Sequence, residues 1–248
     1  MRIAILSDVH GNCVGLDVAL ADLQQQPADQ IVCLGDMIQG GPQPAEVVAR
    51  LRELACPVVM GNADAWLLTG QATDAEPTTA QQQAVREWQL TRLAPEDRAF
   101  IERFQPTIEI ALGDGRALLC FHGSPSSFDE IILPETPEQE VQRMLGPFAP
   151  ALMCGGHTHL QQIRRLGDTL FFNPGSVGFA FNREQPEEQF KADSCAEYAL
   201  LTYDDGRIGL EFRRVPYSTE AIVQVYLASR RPYADQAVEQ YRPSTSPT

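Results

Sequence analysis

Arg2-Ile3-Ala4-Ile5-Leu6-Ser7-Asp8-Val9-His10-Gly11-Asn12 opens the chain with a short apolar run that meets polar residues at once. Arg2 to Ser7 reads as a buried strand, with an aspartate and a histidine at its carboxyl end. The arrangement returns downstream. Ile31-Val32-Cys33-Leu34 leads into Gly35-Asp36, and Pro57 to Met60 reads as a third strand ending at Gly61-Asn62. Between these runs, Gly15 to Gln25 places Leu16, Leu20 and Leu23 on one helical face, and Pro44 to Leu54 predicts a second helix. The order β-α-β-α-β is that of an α/β fold with a parallel sheet covered by helices.

Beyond Asn62 the pattern changes. Ala72 to Thr79 is polar and loop-like, and two helices follow at about Thr79 to Arg92 and Pro95 to Phe104. Residues 64–105 therefore read as a small helical insertion in a single domain of residues 1–242. Thr107 to Leu112 and Ala117 to Phe121 flank Gly113-Asp114-Gly115 as a hairpin, and the stretch from Ser124 to Gln139 reads as a loop. Further strands are predicted at Ala151 to Cys154, Ile163 to Leu166, Thr169 to Phe172, Glu197 to Tyr203 and Ile208 to Val215. Helices at Thr219 to Ser229 and near Ala234 to Tyr241 close the fold; Val223, Tyr226 and Leu227 face either a neighbour or the sheet. Residues 243–248 read as a disordered tail.

Composition narrows the function. At 44% hydrophobic and 21% charged the chain has the balance of a soluble globular protein. No run approaches the roughly 20 apolar residues of a membrane span, and no signal-peptide pattern precedes Asp8, which together predict a cytoplasmic protein. The six cysteines are scattered without zinc-type spacing, as expected of buried filler. A net charge of −14 argues against duplex nucleic acid as a general partner. A small phosphorylated substrate needs concentrated positive charge, which bound divalent cations supply. Oligomeric state is not encoded in any visible pattern.

The chain has four histidines, His10, His122, His157 and His159, and all follow predicted strands. Asp8, Asp36 and Asn62 hold equivalent strand-end positions. Ligands of α/β sheets gather at such ends, so seven side chains are placed to converge on one crevice. Taken singly, each has a bland structural reading. In Asp8-Val9-His10 the two side chains share a face only if the chain stays extended. Gly155-Gly156-His157-Thr158-His159 carries more weight, because two glycines let backbone and two imidazoles approach one ion. Jointly the set points to a two-metal site of Asp8, His10, Asp36, Asn62, His122, His157 and His159. Imidazole and carboxylate suit manganese first, with iron, zinc or magnesium as alternatives. Asp36, central in the order, is the natural bridge, and a metal pair suits in-line displacement at phosphorus.

Asp8-x-His10, Gly35-Asp36, Gly61-Asn62, His122 and Gly156-His157-x-His159 resemble, in order, the motif set of the calcineurin-like metallophosphoesterases. Ser7-Asp8-Val9-His10-Gly11-Asn12, Gly35-Asp36-Met37-Ile38-Gln39-Gly40-Gly41-Pro42 and Asn173-Pro174-Gly175-Ser176 resemble a small bacterial and archaeal phosphodiesterase-like branch. The resemblance implies a four-layer αββα sandwich with two central mixed sheets. It implies one metal on Asp8, His10, Asp36 and His159, and a second on Asp36, Asn62, His122 and His157. It further implies attack by a metal-bound hydroxide, with Asp36, Asn62 and His122 as the catalytic core.

The chain departs from the family pattern in two places. Relatives often carry a histidine after the Gly-Asn pair that aids the leaving oxygen; here Ala63 stands, followed by Asp64. The enzyme is then expected to depend on the leaving group's own acidity, since acid catalysis contributes about 10²–10⁴-fold. Asp64 reads either as a group orienting a neighbour or as an exposed helix-start acid. An arginine that protein phosphatases place after Gly-Asp is also missing, with Gln39-Gly40-Gly41 in its stead. That favours a phosphodiester, nucleotide or dinucleoside polyphosphate over a phosphoprotein. A phosphomonoesterase and a catalytically weak metal-binding scaffold are the alternatives. Asn12, Arg183 and Lys191 are candidate phosphate contacts, and Trp66 and Phe128 candidate nucleobase contacts, each also readable as turn, surface or core.

Overall fold

A computed structural model describes residues 1–71, 78–146, 152–186 and 190–242. Residues 72–77 of the expected polar loop, Ala151 and the tail at 243–248 lie outside the described residues. Strand β1 (Arg2–Leu6) shows why the chain layers as it does. Ile3, Ala4, Ile5 and Leu6 are all fully buried, so both faces of the strand need an apolar cover. Ile3 and Ile5 face Ile110, Leu118, Cys120 and Phe172 in a core between two sheets. Ala4 and Leu6 face Leu16, Val47, Leu51, Ile222 and Tyr226, which come from helices.

The first sheet orders β2 (Gln30–Cys33), β1, β8 (Cys195–Asp204) and β9 (Arg207–Pro216) side by side. β1 runs parallel to β2 and antiparallel to β8, so the sheet is mixed. The second orders β3 (Ile108–Gly113), β4 (Arg116–Cys120), β5 (Leu152–Cys154), β7 (Thr169–Pro174) and β6 (Gln161–Leu166), with β4, β5 and β7 parallel and both edges antiparallel. Helices α1 (Cys13–Gln25), α2 (Pro44–Leu54), α7 (Thr219–Ser229) and α8 (Ala234–Glu239) supply the layer outside the first sheet. Outside the second lies α6 (Glu138–Leu145), whose Val141, Met144 and Leu145 pack on Leu119, Phe121, Met153 and Phe171. The order is the expected αββα sandwich.

Four details differ from the sequence reading. Pro57 to Met60 is extended beside β2 but forms only isolated bridges, Cys33 with Val58 and Val59 with Gln105. Pro57 has no N–H to donate, and Met60 turns its N–H to the Gln105 carbonyl at 2.7 Å, so no ladder propagates. Asn62 is helical, the first residue of α3 (Asn62–Thr69). Helix α6 starts at Glu138, inside the Ser124 to Gln139 segment expected to be loop. α1 starts two residues early because Asn12 Oδ1 accepts the Gly15 N–H at 2.9 Å; Asn12 is thus a helix cap. α4 (Ala80–Arg92) and α5 (Pro95–Ile101) fall where expected, α4 behind a Thr79–Gln82 capping box. Of the three α7 residues, Val223 and Tyr226 pack inward on the core and Leu227 is exposed. Among the described residues no helix is long and apolar enough to cross a membrane.

Glu197 on β8 is buried opposite Arg214 of its β9 neighbour, whose Nε lies 2.8 Å from Oε1. Burial pushes its carboxyl up to about 7 against the pull of Arg214. The folded state therefore binds more protons than the unfolded chain between the ordinary value of 4.5 and about 7. The stability this residue contributes is complete below pH 4.5 and is lost as pH rises through about 7. Urea titrations should show the protein losing about 2–3 kcal/mol across that window relative to Glu197→Gln. Parallel pH profiles for the two proteins would contradict the assignment.

Candidate metal centre

The carboxyl ends of β1 and β2 in one sheet, and of β4 and β5 in the other, meet at one rim of the sandwich. The loops after β1 and β2 stay paired past the strands: Asp8 N–H donates to Gly35 O at 3.0 Å and His10 N–H to Asp36 O at 2.8 Å. The Asp8-x-His10 pair does not work by extended alternation. Asp8 has φ 55° and His10 φ 48°, and Asp36, His157 and His159 are left-handed as well, at 52°, 71° and 54°. Five of the seven predicted ligands thus hold a backbone that costs side-chain-bearing residues energy, a concentration typical of functional sites. Gly61 and Gly156 allow the close approach: a Cβ on either would collide with Asp36 Oδ1 or with Ser7 Oγ.

All seven predicted side chains come together. Asp8, His10 and His159 place ligating atoms within 4.8 Å of one another, and Asp36, His122 and His157 form a second such group. Asp36 Oδ2 lies 3.3 Å from His122 Nε2 and 3.8 Å from His10 Nε2, so it faces one histidine of each group. Its other oxygen accepts the Ala63 N–H at 2.8 Å. Asn62 Oδ1 lies 3.0 Å from His122 Nε2.

Tautomers follow from the backbone. His10, His122 and His159 direct Nδ1 at the carbonyls of Gln39, Leu34 and Phe179 at 2.8, 2.7 and 2.7 Å. A carbonyl only accepts, so each Nδ1 carries the hydrogen and each neutral ring turns a bare Nε2 inward. His10 Nε2 and His159 Nε2 then face each other at 3.0 Å, lone pair to lone pair. Asp8 Oδ1 is buried beside them without a hydrogen-bond donor. At the second group His122 Nε2 meets the oxygens of Asn62 and Asp36. Donors of this kind packed against one another fit two divalent cations.

Without a cation, protons carry the compensating charge. Burial raises Asp36, but the charge and hydrogen bond of His122, with His10 and His157 beyond, hold it well below the usual carboxylate range. Burial disfavours the His122 imidazolium, yet Asp36 overrides it and pushes the ring up to about 9. Burial lowers His10 and His157 further, aided by His159 and His122 respectively. Filling the site therefore displaces protons.

Several supports had no sequence signal. Ser7 Oγ donates to Asp8 Oδ2 at 2.5 Å. Gln89 of α4 is fully buried: Nε2 donates to Ile38 O and Gly41 O, and Oε1 accepts from Gly40 N, all at 3.1 Å. Arg231 Nε donates to Gly40 O at 2.7 Å from the far end of the chain. Together they hold the loop whose Gln39 carbonyl aims His10. Asn173, quoted for its motif, donates to Gly156 O at 2.6 Å and so braces the histidine loop. Of the other candidates, Lys191 is tied to the Glu239 carbonyl, while Arg183 pairs with Glu135 at 2.7 Å beside the site.

The chain matches the model of the calcineurin-like phosphoesterase superfamily domain over residues 1–205. The phosphodiesterase YfcE of Escherichia coli strain K12 is 27% identical over 214 residues, covering 82% of this chain and 89% of that protein. MJ0912 of Methanocaldococcus jannaschii is 24% identical over 248 residues, covering 93% of each. The crystal structure of a metallophosphoesterase from Sphaerobacter thermophilus shares the fold with a TM-score of 0.74 and 25% identity, covering 97% of this chain and 98% of that one.

Proposed function

Since the chain belongs to the calcineurin-like phosphoesterase superfamily, and so is a phosphoric ester hydrolase, we propose that it cleaves a phosphodiester at a two-cation centre. The observation that carries this reading is the position of Asp36 Oδ2 between His10 of one ligand group and His122 of the other. Asp8, His10 and His159 would hold one cation, and His122, His157 and Asn62 the other, with Asp36 shared. Manganese is the first choice for a site of imidazole and carboxylate without thiolate. Bound cations of this kind acidify water and neutralise charge developing on phosphoryl oxygens.

The remaining work falls to the chain itself. The three backbone carbonyls fix the imidazoles in one tautomer, and the loop clamp fixes their aim. Asp8 and Asp36 stay ionised against the cost of burial because His159 and His122 face them, and this keeps their oxygens free of protons. At Ala63 the chain offers only a backbone N–H, already donated to Asp36, so no side chain there protonates the leaving oxygen. Phosphodiesters with acidic leaving groups suit this arrangement best. A domain of residues 1–242 with its helical insertion at 64–105, acting in the cytoplasm, completes the proposal.

The test is hydrolysis of bis-p-nitrophenyl phosphate by chelator-stripped protein before and after addition of manganese. Turnover that appears with metal, and rises steeply with leaving-group acidity across aryl diesters, is expected. Two metals bound per chain without turnover would favour the scaffold reading, to which Ala63 lends its only support. A flat leaving-group dependence would mean that another group supplies the proton.

A further inference from the structure

A cavity of about 780 Å³ opens directly against the centre, sharing Asn62 and His157 with it. That size is right for a nucleoside-sized group. Its walls carry three aromatic rings from three separate parts of the chain, Trp66, Phe128 and Phe181. Two are pinned from behind. The Arg86 guanidinium lies 5.7 Å from the Trp66 ring centre while donating to the carbonyls of Trp66 and Leu67 at 3.0 Å. Phe181 packs on Phe190, His159 and Phe179 with ring centres 5.1, 5.8 and 6.3 Å away. Rings held in this way present contact area without losing freedom on binding.

The charges in the wall are equally informative. Among the described residues only Asp129 and Arg183 are formally charged there besides the centre's own groups, and Arg183 is already paired with Glu135. Among the described wall residues no unpaired arginine or lysine waits for a second phosphate, in a chain of net charge −14. We propose that this cavity binds the uncharged nucleoside of a nucleoside phosphodiester, its base against Trp66, Phe128 and Phe181, with the single phosphate left at the metal centre. The assignment rests on the hydrolytic reading above and selects within it: a monoanionic nucleoside diester is the substrate class, and a polyphosphate is not.

The chain has two tryptophans, and Trp88 is not in the cavity wall, so Trp88→Phe makes Trp66 the sole reporter. In the metal-free variant adenosine should quench Trp66 fluorescence saturably, and ribose should not. ATP should bind at least about 10-fold more weakly than adenosine, since its phosphates meet no unpaired arginine or lysine among the described wall residues and the chain is strongly anionic. Phe181→Ala should weaken adenosine about 10-fold or more, and Phe128→Ala in the same direction provides a second reading should the first fail to fold. Absence of saturable quenching, or ATP binding as tightly as adenosine, overturns the proposal. The hydrolytic reading is judged separately with bis-p-nitrophenyl phosphate and manganese. Adenosine binding without turnover keeps the cavity and overturns hydrolysis; turnover without adenosine binding does the reverse.

Discussion

Asp36→Asn is expected to lower manganese-dependent hydrolysis of bis-p-nitrophenyl phosphate by about 10³-fold or more, and to reduce bound metal below two per chain. Both carboxylate oxygens of Asp36 are committed. Oδ1 accepts the Ala63 N–H at 2.8 Å, while Oδ2 faces His122 and His10 at 3.3 and 3.8 Å. An amide offers one oxygen and one NH₂. If the oxygen keeps Ala63, the NH₂ points at the shared position between the two ligand groups. If it turns over, two donors collide at Ala63. Either orientation also removes one of only two carboxylates among the seven candidate ligands. Losing a single transition-state donor costs roughly 10²–10³-fold in other enzymes, and losing a cation removes more than one such contact. Metal content by mass spectrometry and kcat measured on the same sample settle the matter. A variant that keeps two metals and works within tenfold of the parent would remove Asp36 from its bridging place.

The sequence made the candidate ligand set legible because its members are rare residue types at equivalent positions. Four histidines at strand ends need no long-range information to be noticed, and the short continuous apolar runs of β1 and β2 mark the strands that carry Asp8 and Asp36. Helices α2 and α7 were legible to the residue, since Pro44 opens one and Ser218 caps the other. What stayed hidden depends on tertiary partners. Helix α6 has three inward apolar residues in eight, too short a stretch for helical periodicity to stand out. Pro57 to Met60 has strand composition, but its hydrogen bonds are divided between β2 and Gln105. Gln89 looks like any polar residue of a polar helix until the loop at Ile38 to Gly41 closes over it. The left-handed backbone at Asp8 and His10 is likewise imposed by the paired loops, and alternation could not foretell it.

Asp64→Ala should destabilise the metal-free protein by about 2–4 kcal/mol and weaken metal binding about 10–100-fold, although Asp64 is no predicted ligand. Read from sequence, it was as easily an exposed acid at a helix start. It is fully buried, and its two oxygens accept the N–H groups of Met37 and Ile38, each at 2.9 Å. Alanine would leave two buried donors without partners in a segment whose side chains belong to the core, and each such orphan costs about 1–3 kcal/mol. The bond runs in the reverse sense one residue away, where Asp36 Oδ1 accepts from Ala63. Residues 36–38 and 63–64 thus clasp each other reciprocally, tying the loop that carries Asp36 to the helix that carries Asn62. Asp64 lies in the first turn of α3, where the helix dipole favours a negative charge. Burial and the nearby Asp36 nevertheless push its carboxyl up to about 7. Asp64→Asn separates geometry from charge: its single oxygen can keep one N–H while its NH₂ opposes the other, so an intermediate loss is expected. Urea unfolding in chelator, where bound metal cannot contribute, gives the stability, and calorimetric manganese titration gives the affinity. An alanine variant within about 0.5 kcal/mol of the parent would mean that the clasp does not hold the loop. Full stability loss with unchanged metal affinity would mean that Asp36 finds its place without help from α3.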